Sequence, residues 1–128
     1  MQIKLGNRDY EVVIGLAALN YLDQIYPIQV NGFEIGLGLN KFYLDLKLKN
    51  ITAISKFIKA GTITEPQKPS TTDIEEFIGS MTEKQLNDFF KEIDEELGKF
   101  PVTKVKWKEL TREIDKLIEE AQRQQLGA

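Results

Sequence analysis

The sequence predicts a mostly helical α+β fold: an N-terminal β-hairpin packed on a small helical domain, with an amphipathic helix at the C-terminus. Three observations lead there. On both sides of Gly6-Asn7 apolar residues alternate with polar ones, the period of a half-buried strand. From Leu16 onward they recur instead at intervals of three and four, the period of a helix face. The 128 residues are 41 % hydrophobic and 29 % charged, an ordinary composition for one soluble domain. A chain of that length can remove about 65–70 % of its unfolded surface from water.

In QIKLGNRDYEVVI, Ile3 and Leu5 precede the turn and Tyr10, Val12 and Ile14 follow it, so the hairpin spans Ile3 to Ile14. Leu16, Leu19, Leu22 and Ile25/Tyr26 then mark a short helix that stops at Pro27. A brief extended piece is expected at Val30 to Ile35, around Asn31-Gly32. The next segment, LNKFYLDLKLK, fits two periods. Phe42, Leu44, Leu46 and Leu48 alternate as in a strand, whereas Leu39, Phe42, Tyr43 and Leu46 fall on one helix face. The absence of β-branched residues favours helix. Asn50 is expected to cap a further helix, with Ile51, Ile54, Phe57 and Ile58 on its inner face and Gly61 at its end.

Thr62 to Ser70 carries two prolines and reads as a loop between two lobes. Thr72 with Glu75 forms an expected capping box, and Thr82 with Gln85 a second. The latter opens the clearest helix, whose stripe is Leu86, Phe89, Phe90, Ile93 and Leu97; Gly98 stops it and Pro101 prevents restart. From about Val105 a last helix carries a seam of Trp107, Leu110, Ile114, Leu117 and Ala121, spaced as in a coiled coil. That seam is equally suited to its own domain and to a partner helix. The polar end QRQQLGA is expected to fray. The chain therefore divides into residues 1–100, hairpin plus helices, and 101–128, C-terminal helix and tail.

With no Cys and no His, the chain lacks a thiol nucleophile, an imidazole base and the usual zinc ligands. No cofactor, no metal and no catalytic residue is expected. A formal net charge of −3 from 17 basic and 20 acidic residues gives no global field for a polyanion. The uncharged run Val12 to Leu22 is about half of the ~20 residues a membrane-spanning helix needs, and the N-terminus has no secretory signal pattern. A cytoplasmic protein is expected.

Gly36-Leu37-Gly38 begins like a dinucleotide-binding loop, but Lys41 stands where the third glycine belongs. These glycines are expected to allow a sharp turn or a close chain approach. The flanking Phe33, Ile35, Leu37 and Leu39 are then core or a partner-binding surface. KFPVTKVKWK, Lys99 to Lys108, interleaves lysines with Phe100 and Trp107, as a small nucleic-acid-binding module would. The acids that follow from Glu109 make a solvated helix start the stronger reading. In KEIDEELGK the carboxylates spread around a polar helix face and form no site.

Taken in order, YEVVIGLAALNYLDQIY, GFEIGLGLNKFYLDL, NITAISKFIKAGT, KPSTTDIEEFI and LNDFFKEIDEEL resemble the tail assembly chaperones of long-tailed phages and prophages of Gram-positive bacteria. The resemblance covers about Met1 to Leu97. It implies assembly and not catalysis: a chaperone that binds the tape measure protein, keeps that long hydrophobic chain soluble and helps recruit tail tube subunits, in the host cytoplasm and absent from the mature virion. A homo-oligomer, with no membrane partner and no nucleic acid, is the corresponding expectation.

Overall fold

Glycine permits the first reversal of the chain. Gly6 has a φ of +61°, a conformation an L side chain rarely adopts, and it joins strands β1 (Gln2–Leu5) and β2 (Arg8–Glu11) with Ile3 opposite Tyr10. Ile3, Leu5, Tyr10, Val12 and Ile14 all point inward and are buried, as the alternation predicts. The computed structural model describes residues 1–126.

Helix α1 (Leu16–Ile25) buries Ala18 and Leu22, whereas Leu16 is exposed. Leu19, Ile25 and Tyr26 pack against the core with Leu22, so the expected stripe holds except at its first residue, Leu16. The extended piece expected at Val30 to Ile35 begins earlier, at Ile28, and is a second antiparallel hairpin of β3 (Ile28–Val30) and β4 (Phe33–Ile35). Its turn residues, Asn31 and Gly32, have φ of +52° and +81°, the pair of positive angles that a two-residue hairpin loop requires.

The ambiguous segment is helical: α2 spans Gly38–Lys47 and buries Phe42, Tyr43 and Leu46. Lys49 reverses the chain at φ +55°. Helix α3 (Ile51–Gly61) follows, burying Ala53, Ile54, Phe57, Ile58 and Ala60. Asn50 occupies its N-cap position without capping it; the amide donates instead to Asp45 Oδ1 at 2.7 Å. At the other end Gly61 receives the hairpin directly. Its carbonyl accepts from the Val13 amide at 3.0 Å, and a Cβ there would lie 2.1 Å from Val12 Cγ1.

After the loop, α4 (Thr71–Gly79) starts earlier than expected. Ser70 is the cap, its Oγ accepting from the Asp73 amide at 3.0 Å. Two cap signals overlap here, and both Thr71 and Thr72 enter the helix behind the first. The box of Thr82 and Gln85 is present as expected and opens α5 (Glu83–Leu97), which buries Phe89, Phe90, Ile93 and Leu97. Phe77 of α4 meets Phe89 edge to face at 5.4 Å between centroids.

Helix α6 (Lys104–Leu126) runs through the stretch expected to fray, as far as Leu126; the last two positions of that stretch, 127 and 128, lie outside the described residues. Its first turns belong to the core of the preceding elements. Trp107 meets Tyr43 edge to face at 4.8 Å between centroids and lies tilted against Phe42 at 6.2 Å. Beyond Ile114 every described residue of the helix is exposed.

Candidate functional site

The glycines at 36 and 38 are explained by α1. A Cβ on Gly38 would lie 2.4 Å from the Leu22 carbonyl carbon and 2.5 Å from the Asp23 nitrogen, and one on Gly36 would lie 2.6 Å from Asp23 Oδ2. Real Cβ atoms do not approach that closely, so the α2 N-terminus rests directly on the α1 backbone. Neither glycine has a positive φ, so of the two expectations, turn freedom and close approach, it is close approach that operates.

The same corner answers the dinucleotide question. Leu37, at the N-cap of α2, supplies no side-chain cap. Asp23 takes that place from the neighbouring helix, accepting the Gly38 amide at 2.9 Å. A carboxylate already lies where a phosphate would bind, at the positive end of the helix. Asp23 is the residue that sequence reasoning missed; beside Asn20 and Gln24 it reads as one more polar position of α1.

The close approach projects the β3–β4 hairpin outward. Phe33 is 76 % exposed, Ile35 and Leu37 are 37 % exposed, and Val30 opposite Phe33 is exposed too. Leu39 is half-buried and packs against the core. Three of the four expected partner-binding residues therefore lie on the surface and the fourth anchors them. A large aromatic ring left in water on a hairpin tip gains free energy from any apolar partner that covers it.

The seam of α6 is divided. Trp107 and Leu110 are core, Ile114 is half-buried, and Leu117 and Ala121 are exposed, Leu117 by 60 %. The junction is held by Asp94, whose Oδ1 accepts from the Trp107 indole N–H at 2.9 Å and from Lys47 Nζ at 3.2 Å, so α2, α5 and α6 share one carboxylate. The Tyr43 hydroxyl adds a bond of 3.2 Å to Thr111 Oγ1. These contacts also remove the stacking ring from the basic segment Lys99 to Lys108. Trp107 is buried and its N–H is taken, and Phe100 is half-buried. Nucleic-acid stacking requires an open ring face, so the alternative reading loses the feature that suggested it.

A second polar cluster ties α1, α2 and α3 together. Asp45 accepts from the Tyr26 hydroxyl, from Asn50 and from Lys56 Nζ at 2.9 Å, while Lys56 lies 4.5 Å from the Tyr26 ring centre. Partial burial disfavours the Asp45 carboxylate, but hydrogen bonds from Tyr26, Lys56 and Asn50 and the Lys56 charge outweigh it and hold its pKa below the usual carboxylate value. Burial, then the bond to Asp45 and its charge, push Tyr26 far above the ordinary tyrosine range. The cluster is satisfied within the chain and positions helices. Among the described residues no helix is long and apolar enough to cross a membrane.

The model of the family described as phage tail assembly chaperone protein, TAC, matches residues 2–113. This match passes Leu97, where the sequence resemblance ends, and takes in Trp107 and Leu110. Comparison with curated proteins and with solved structures finds no match.

Proposed function

The chain belongs to the phage tail assembly chaperone family, and we propose on that premise that it binds the tape measure protein and helps recruit tail tube subunits during tail morphogenesis. It does so without catalysis, in the host cytoplasm, and it leaves before the virion is complete. The observation that supports this reading best is the exposed β3–β4 hairpin, with Val30, Phe33, Ile35 and Leu37 presented to solvent on a corner fixed by Asp23 and Gly38. An amphipathic helix of the client would lay its apolar face on these side chains. The exposed half of the α6 seam, Leu117 and Ala121 following Ile114, serves self-association, so that several copies line one long client.

Co-expression with a tape measure segment that aggregates alone tests the reading. The wild-type chain should keep the segment soluble. Phe33→Ser with Val30→Ser should return it to the pellet, while the thermal melt of the chaperone itself changes little because both side chains are exposed. Undiminished rescue by the double variant would remove the hairpin from the binding surface.

A further inference from the structure

Among the described residues two apolar patches besides the hairpin carry opposite charges. The first is the free half of α6. At about 100° per residue, Ile114, Leu117, Ile118 and Ala121 form one stripe, Glu113 and Glu120 border it on one side and Asp115 on the other, and Arg112, Lys116 and Arg123 fall on the reverse face. From Glu113 to Glu120 four acids stand against the single base Lys116, a net charge of −3. None of these acids is used in an ion pair among the described residues.

The second patch is the outer face of the α2–α3 corner. Leu44 on α2, Leu48 at its C-cap one turn further on, and Ile51 at the start of α3 are all exposed, Leu48 by 73 %. Lys41 lies on the same face as Leu44 and Leu48, and Lys47 and Lys49 border it. From Lys41 to Ile51 three bases stand against the one acid Asp45, a net charge of +2. Asp45 is committed to Tyr26, Lys56 and Asn50 and Lys47 to Asp94, which leaves Lys41 and Lys49 to set the sign of the surface.

We propose that the acidic apolar stripe of α6 on one copy docks on the basic apolar α2–α3 corner of a second copy. The inference rests on the self-association proposed above and names the acceptor for it. Pairing two α6 helices antiparallel would instead bring Glu113 against Glu120 of the other copy, which is repulsive. A donor and an acceptor at different places on one surface make a heterologous contact, and such a contact leaves a free donor and a free acceptor at the two ends of every chain of copies. The β3–β4 hairpin stays uncovered for the client.

Leu48→Glu damages only the acceptor and Leu117→Glu only the donor, and both side chains are exposed, so the fold is retained. In sedimentation velocity the wild-type chain should grow beyond dimer as its concentration rises. Each variant alone should be monomeric, its dissociation constant raised by about tenfold or more because a charge enters an apolar contact. An equimolar mixture should form a dimer and stop there, since it retains one intact joint. A charge reversal at the rim gives a second reading that does not touch the apolar residues: Lys41→Glu should weaken association and Glu120→Lys, added to it, should recover part of the loss. Association of Leu48→Glu at wild-type strength, or a mixture that stays monomeric, overturns the docking while leaving self-association standing. A wild-type chain that remains monomeric at high concentration overturns both.

Discussion

Replacing Gly38 with alanine adds one methyl group where the structure has no room for it. The new carbon would lie 2.4 Å from the Leu22 carbonyl carbon, 2.5 Å from the Asp23 nitrogen and 2.6 Å from the Leu22 oxygen, all of them backbone atoms of α1 that cannot turn aside. Either α2 shifts away from α1 or α1 deforms. Overpacking of this kind costs about 1–3 kcal/mol. A shift of α2 also stretches the bond from the Gly38 amide to Asp23, now 2.9 Å, and a hydrogen bond to a charged group contributes about 1.5–3 kcal/mol. Reduced freedom of the unfolded chain returns about 0.4–1 kcal/mol. The expected net loss is about 1.5–5.5 kcal/mol, a large fraction of the ~5–15 kcal/mol that holds a domain folded. Urea denaturation followed by circular dichroism reads it as a lower midpoint at unchanged slope. Gly79→Ala is the matched control. Gly79 ends α4 with nothing within 4 Å of the added carbon, so that variant should gain up to about 1 kcal/mol. If Gly38→Ala melts with the wild type, α1 and α2 are not in backbone contact, and the account of the glycine-rich corner fails.

Trp107→Ala should cost about 3–5 kcal/mol in the melt of the entire chain, because the indole is buried on Tyr43 and Phe42 and bonded to Asp94; a loss confined to α6 helicity, with the remaining melt unmoved, would show α6 to be an appendage. Asp45→Asn should remove an acid-sensitive part of the stability. The folded carboxylate has its pKa lowered, so its contribution is fully present above the unfolded value of about 3.9 and is lost as pH falls through the folded one. Wild type and variant should therefore converge in stability below about pH 4, and equal differences at pH 3 and pH 7 would contradict the assignment.

The local code of this chain was legible because it is written in near neighbours. The alternation around Gly6-Asn7 specifies the first hairpin, Thr82 with Gln85 specifies the start of α5, and the 39/42/43/46 spacing with no β-branched residue decides for helix over strand in α2; each depends on contacts a few residues apart. The order of these segments also pointed to the phage tail assembly chaperone family. What the glycines at 36 and 38 do depended on Leu22 and Asp23, which reach them only after α1 and α2 pack. Periodicity could not divide the α6 seam, since Trp107, Leu110 and Leu117 are equivalent along a helix; Phe42, Tyr43 and Asp94 meet the first, the second is buried in the core and the third is exposed. Leu16 fits the helical spacing equally well, yet it is exposed while Ala18 two positions on is buried. Composition and spacing describe a chain in which every apolar residue could be buried. Tertiary packing has only enough interior for some of them, and which ones stay outside is decided by the elements that happen to lie opposite.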